Sequence, residues 1–290
     1  MAVQGKMILR IWDVEHGACA MLHHQLDGVA GRLAMIDSGD TADWSPSSFI
    51  KNHLGRDQLD YLFITNADQD HMSDLQGLWD EGIKVKTLTR NPDPPADELR
   101  KIKAVGGLSS DIERFLSIHA TYNQPVTEPF NDYMGGITRK TFHNKFPDFT
   151  DTNNLSCAVF IEFAGFKILF PGDLEEAGWQ ALLKRQDFRN ELIGVDVLVA
   201  AHHGRENGYC EAVFDYCQPR VVVMSDKAIV HSTQGMTQTY RQRVIDNWPD
   251  GVLVATTMKQ RHVLTTRKDG WIQFVVEANG NFSITTEYNG

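Results

Sequence analysis

Several apolar runs in this chain stop abruptly at clusters of ionisable side chains. Tyr61-Leu62-Phe63-Ile64 leads into Asn66-Ala67-Asp68-Gln69-Asp70-His71, and Asp74 follows three residues on. A second run, Lys167-Ile168-Leu169-Phe170, ends at Pro171-Gly172-Asp173. A third, Val197-Leu198-Val199-Ala200-Ala201, ends at His202-His203-Gly204. Short continuous apolar runs read as strands buried on both faces. Side chains at the open ends of such strands are where α/β folds build their sites. Asp68, Asp70 and His71 fall within four residues. Like charges a few ångströms apart resist joint ionisation, so gathering them is costly without a counter-cation. A divalent metal removes that cost.

The rest of the chain supports the same class. Met7–Val14 and Arg32–Ile36 read as strands, Pro46–Leu54 as a helix with cap residues in front of it, and Met72–Gly82 as a helix ending at glycine. Residues 91–150 break the alternation. They are rich in Pro and Gly, carry one helix pair (about Ala96–Val105 and Ser110–Tyr122), and have the look of an insertion or lid and not of a sheet layer. Alternation resumes with two strands joined at Ala164-Gly165, then helices and strands to a hairpin-rich end. A coarse echo relates residues 1–90 and 151–290: strands first, helices after, polar clusters at strand ends. Two such half-domains in one 290-residue domain suggest a four-layer αββα sandwich.

Composition narrows the partners. No stretch reaches ~18 consecutive apolar residues, so no membrane span is expected, and Met1–Gly17 lacks the pattern of a secretory signal. Cys19, Cys157, Cys210 and Cys217 are scattered and form no CxxC pair, which fits free thiols in a reducing cytoplasm and disfavours a cysteine zinc site. The formal net charge of −10 repels an extended polyanion over most of the surface. Nucleic-acid contact therefore needs a local basic patch or a bound cation. Arg139-Lys140, Lys184-Arg185 and Arg241–Arg243 are the candidates.

The order of motifs resembles the metallo-β-lactamase superfamily, whose signature reads H-x-H-x-D-H. Within it, the chain is most similar to the soluble hydrolase-like module of competence-type DNA-uptake (ComEC-like) proteins, which reads H-x-D-x-D-H. Asn66–His71 stands at that place. Asp13–Ala20 (DVEHGACA) resembles the family's opening D-V-G-Q-G-D-A loop, and Ile36–Gly39 its IDSG. Asn153–Ser156, Pro171–Glu176 and Ala201–Arg205 resemble its NNxS, TGDLE and AHHGS segments. The likeness runs in order over nearly the whole chain.

The resemblance implies a metal site of Asp70, His71, Asp173 and one of His202 and His203, with His203 favoured because it directly precedes the glycine. Asp173 would bridge to a second cation that Asp68 helps to bind. Zn2+ or Mn2+ are the expected cofactors, one or two ions, with Mg2+ also suited to an oxygen-rich second position. Asn66 replaces the first signature histidine, and only Asn153-Asn154 stand where many members have a mid-chain histidine, so a weak or empty second position is expected. His16, in place of the loop's Gln, reads either as a contact to ligands or substrate or as a structural histidine. His231 would bind a substrate phosphate, donate a proton or cap a helix.

The expected activity is metal-dependent hydrolysis of phosphodiesters in DNA, RNA or nucleotides through a metal-activated water, with Asp70 or Asp68 orienting that water and His231 or His203 near the leaving group. Two alternatives stand beside it. One is hydrolysis of a small ester, lactone or thioester at the same metal; the other is a catalytically degenerate module binding a nucleotide or protein partner.

Overall fold

The computed structural model describes residues 4–228 and 235–288. His231 lies outside the described residues. Among them, fifteen strands form two sheets. The strands are β1 (Lys6–Ile11), β2 (Ala20–Leu26), β3 (Val29–Ile36), β4 (Gln58–Phe63), β5 (Lys84–Thr89), β6 (Thr138–His143), β7 (Cys157–Phe163), β8 (Phe166–Phe170), β9 (Val197–Val199), β10 (Val221–Met224), β11 (Val252–Val254), β12 (Lys259–Arg261), β13 (Val263–Thr265), β14 (Ile272–Glu277) and β15 (Phe282–Thr286). One sheet has nine strands in the order β12-β11-β15-β14-β1-β2-β3-β4-β5; the other has six, β13-β10-β9-β8-β7-β6.

Strand parity builds three apolar layers. Successive side chains of a strand point to opposite faces. On β7, Val159, Ile161 and Phe163 face the other sheet, meeting Met7, Leu9 and Phe274 in the central core. Phe160 between them faces outward, with Leu169, Leu198 and Val222, onto Trp179, Leu182 and Phe188 of the helices Glu176–Leu183 and Gln186–Leu192. The nine-stranded sheet does the same on its far side. Leu33, Met35 and Leu62 pack against Leu75, Leu78, Ile112, Phe115 and Leu116 of the helices Leu75–Asp80 and Ser110–Thr121. The result is helix, sheet, sheet, helix, the expected four-layer αββα arrangement.

The sequence reading placed the main elements, with two differences. Residues 91–150 are not only an insertion: β6 lies in them and forms the edge of the six-stranded sheet, paired antiparallel with β7 from Thr138↔Glu162 to His143↔Cys157. The helix pair Ala96–Ala104 and Ser110–Thr121 sits in the outer helical layer. The division into residues 1–90 and 151–290 also does not map onto the sheets. β11, β12, β14 and β15 return to the nine-stranded sheet, while β13, next to β12 in the chain, pairs with β10 in the other.

β3 and β4 are parallel neighbours in one sheet, and β8, β9 and β10 run parallel in the other. Their C-terminal ends therefore present Asp37, Asn66–His71, Asp173, His202-His203 and Ser225. All four cysteines are buried free thiols. No helix is long and apolar enough to cross a membrane, among the described residues.

Candidate metal centre

Asp37 follows β3 in a left-handed backbone conformation, φ 59°, which an aspartate tolerates better than most residues. Its buried carboxylate accepts the Thr65 backbone N–H (2.7 Å), the Thr65 hydroxyl (2.6 Å) and the His71 Nδ1–H (3.0 Å). That last bond fixes the imidazole, so Nε2 points at the Asp173 carboxylate, 2.9 Å from Oδ1. His203 is oriented the same way from the other sheet. Its Nδ1–H donates to the Ser225 carbonyl at 2.9 Å. Its Nε2 lies 3.2 Å from Asp70 Oδ2 and 3.6 Å from Asp173 Oδ1, aligned with neither as a hydrogen-bond donor.

Backbone details hold the carboxylates in place. The Asp173 N–H donates to Ser156 Oγ at 3.0 Å. Gly172 (φ 63°) precedes it, and a Cβ there would meet Ser156 Oγ at 2.9 Å. Asp70 is held through its carbonyl, which accepts the Ala18 N–H at 3.2 Å. His202, His203 and Gly204 form a run of three left-handed residues (φ 50°, 56° and 75°), and the Nε2 atoms of both histidines approach different oxygens of Asp173. Sites often store backbone strain of this kind.

One ligand atom each from Asp70, His71, Asp173 and His203 lies within 4.8 Å of all the others. Ligands about 2.1 Å from a shared ion stand roughly 3–4 Å apart, so the spacing fits a divalent cation. The donor set also fits: two carboxylates, two imidazoles with their far nitrogens already committed, and a buried His203 Nε2 with no aligned partner. Burial alone would raise the pKa of the Asp173 carboxyl, but His71 and His203 outweigh it and hold it well below the usual range. Asp70 likewise stays ionised, because His203 and His71 overcome the cost of burial. Burial would lower the pKa of His71; Asp173 and Asp37 reverse that and raise it.

The other expected residues fall outside this set. Asp68 accepts the Lys103 ammonium and the Thr152 hydroxyl (2.8 Å) on one oxygen, and the Asn66 amide (3.2 Å) on the other. His202 Nε2 is 4.0 Å from Asp173 Oδ2, and its Nδ1 is 3.6 Å from Glu175. His16 stands over the cluster, 3.5 Å from Asp70 Oδ2, with its ring 4.7 Å from that of His203. Burial lowers its pKa to about 4. It accepts a hydrogen bond from Arg205 Nη2 at 3.1 Å. His16, Asp40, Asp68, Asp70, Asp173, His202 and Arg205 line an open cleft of about 530 Å³ over the cluster.

Sequence reasoning quoted Asp37 and Arg205 in motifs but assigned them no role, and Lys103 and Ser225 gave no signal. Each proposed basic patch has one of its two cations in an ion pair. Lys140 pairs with Glu191, Arg185 with Asp187, and Arg243 with Glu211.

The sequence profile of the Metallo-beta-lactamase superfamily matches residues 28–213, which includes Asp37, Asp70, His71, Asp173 and His203. The chain belongs to this superfamily. As a superfamily member, it is 28% identical over 285 residues to ComE operon protein 3 of Bacillus subtilis (strain 168), covering 89% of this chain and 32% of that one. It thus spans about a third of the length of the curated relative it matches. Among solved structures in the same fold are CmlA, a diiron β-hydroxylase from Streptomyces venezuelae, and a mutant of it. The first is 14% identical, with a TM-score of 0.46 over 94% of this chain and 54% of that one. The mutant is 12% identical, with a TM-score of 0.50 over 92% and 53%.

Proposed function

We propose that the chain is a metal-dependent phosphodiesterase acting on nucleic acid or nucleotides. The observation that carries this reading is the convergence of Asp70, His71, Asp173 and His203 from both sheets beneath an open cleft. A divalent ion, Zn2+ or Mn2+, would supply Lewis acidity toward a phosphoryl oxygen and make water acidic enough to react near neutral pH. The residues around it have separable tasks. Asp37 and the Ser225 carbonyl keep the Nε2 atoms of His71 and His203 turned inward. Asp70, ionised and lining the cleft, is placed to orient water.

Arg205 favours a phosphate over a neutral ester. Among the described residues its guanidinium makes no ion pair, and it donates to the uncharged acceptor His16 Nε2. An unneutralised guanidinium beside Asp40, Asp68, Asp70 and Asp173 suits an anionic oxygen of the substrate, which the acidic cleft alone would repel. The motif resemblance to the soluble module of competence-type DNA-uptake proteins supports nucleic acid as the substrate class.

The test is cleavage of single- and double-stranded DNA, RNA and a chromogenic phosphodiester against a chromogenic ester, with added Mn2+ or Zn2+. Phosphodiester turnover that disappears in Asp173→Ala supports the reading; turnover of the ester alone replaces it with a small-ester hydrolase.

A second reading rests on Asn66, an amide in place of the first signature imidazole, and on Asn153-Asn154, which stand near where many members have a mid-chain histidine. In that case the chain binds a nucleotide or partner without turnover, and binding persists in an Asp70→Ala, Asp173→Ala double variant.

A further inference from the structure

Beside the four-residue cluster lies a second polar group, made of Asn66, Asp68, Thr152, Asn153 and Lys103. Asp68 is its anionic centre, and Lys103, Thr152 and Asn66 all donate to it. Its Oδ1 accepts the Lys103 ammonium and the Thr152 hydroxyl. Its Oδ2 accepts Asn66 Nδ2 at 3.2 Å, and the same amide reaches Asn153 Oδ1 at 3.2 Å. Asn153 Nδ2 in turn donates to Glu175 Oε1 at 3.0 Å, an oxygen that also accepts Asn207 Nδ2 at 2.7 Å. Neither end of the Lys103–Asp68 pair is well exposed: the side chains are 18% and 25% accessible. Lys103 comes from the helix Ala96–Ala104, 35 residues away in the chain.

We infer that the Lys103 ammonium takes the place of a second cation, so that the centre holds one divalent ion flanked by a fixed lysine charge. This rests on the metal-hydrolase reading and adds the number of ions and a residue to it. The physical reason is charge. A dication entering this group would meet one carboxylate already neutralised by an ammonium a few ångströms away, and like charges at that range repel strongly in a half-buried site. The remaining oxygens of the group are the Thr152 hydroxyl and the Asn66 and Asn153 amides, weaker ligands than a carboxylate, and the neighbouring Glu175 Oε1 already accepts two amides. Asn66 Oδ1 is the exception that makes the inference testable. It is buried and without a partner, so removing the ammonium leaves it and Asp68 together as unused oxygen ligands.

The experiment is metal stoichiometry by equilibrium dialysis with Mn2+ and elemental analysis, on the folded 290-residue chain checked by circular dichroism. Wild type and Asp68→Asn are expected to hold one ion per chain with Kd unchanged within about threefold. Lys103→Met, which keeps the stem but loses the charge, is expected to take up a second, weaker ion. Two ions in wild type, loss of the ion in Asp68→Asn, or a single ion in Lys103→Met each overturn the inference. Absence of any ion in wild type overturns the hydrolase reading instead, so the two failures are distinct.

Discussion

Asp37 Oδ2 lies 3.0 Å from His71 Nδ1, and this one buried contact decides which way the imidazole faces. The same carboxylate closes the turn after β4 through both donors of Thr65. It thereby couples the end of one strand to the orientation of a ligand on the next.

Asp37→Asn probes that coupling without disturbing the backbone, because asparagine also tolerates the left-handed conformation found there. The amide offers one acceptor where the carboxylate offered two, to three donors. We expect metal affinity to fall by roughly 10–100-fold, the usual cost of losing such a support, read by competition with a chelator. Affinity within twofold of wild type would show that His71 is oriented by something else.

Gly39→Ala tests the loop that holds Asp70. A Cβ there would lie 2.8 Å from the carbonyl oxygens of both Ala18 and Asp70, and backbone cannot swing away as a side chain can. The expected loss of stability in urea is on the order of 1–3 kcal/mol, with weaker metal binding because Asp70 is displaced. A variant as stable as wild type would mean that the loop has slack not visible in these contacts.

Asp74 gives a pH signature. Burial raises its pKa to about 6; the Ser47 backbone and hydroxyl bonds oppose this, and Asp40 and Asp111 add to it. The unfolded value is about 3.9. Between these two values the folded chain binds more protons, so the Asp74 contribution to stability declines as pH rises from about 4 to about 6. Asn at this position cannot ionise. The stability of Asp74→Asn relative to wild type should therefore improve, by on the order of 2 kcal/mol, between pH 4 and pH 7. Denaturant melts at the two pH values measure it, and a flat difference contradicts it.

Arg205→Ala separates substrate classes. Under the proposed role, kcat/KM for a charged phosphodiester falls by about tenfold to a hundredfold, as for loss of a charge-assisted bond worth roughly 1.5–3 kcal/mol, while turnover of any neutral ester changes little. Equal losses on both substrates would place Arg205 in support of His16 and not of the substrate.

Much of the site was legible because apolar strands end abruptly. The polar clusters stand just past continuous apolar runs, which marks them as strand ends, while the choice of Asp70, His71, Asp173 and His203 among them rests on the resemblance to the superfamily motifs. Asp68 shows the limit of that reasoning. It shares the motif with Asp70, yet a lysine 35 residues away determines its environment. β2 and β6 were unread for a related reason. Their sequences, AMLHHQL and TRKTFH, carry polar residues along half-exposed stretches, so pairing with a neighbouring strand defines them more than their own pattern does.

The central claim is that four side chains from two sheets share one ion. Anomalous scattering from crystals grown with Mn2+ or Zn2+ tests it most directly. The account predicts a peak within bonding distance of Asp70, His71, Asp173 and His203, with the direct His71–Asp173 hydrogen bond broken to admit it. No peak at saturating metal, with that 2.9 Å contact intact, would contradict it.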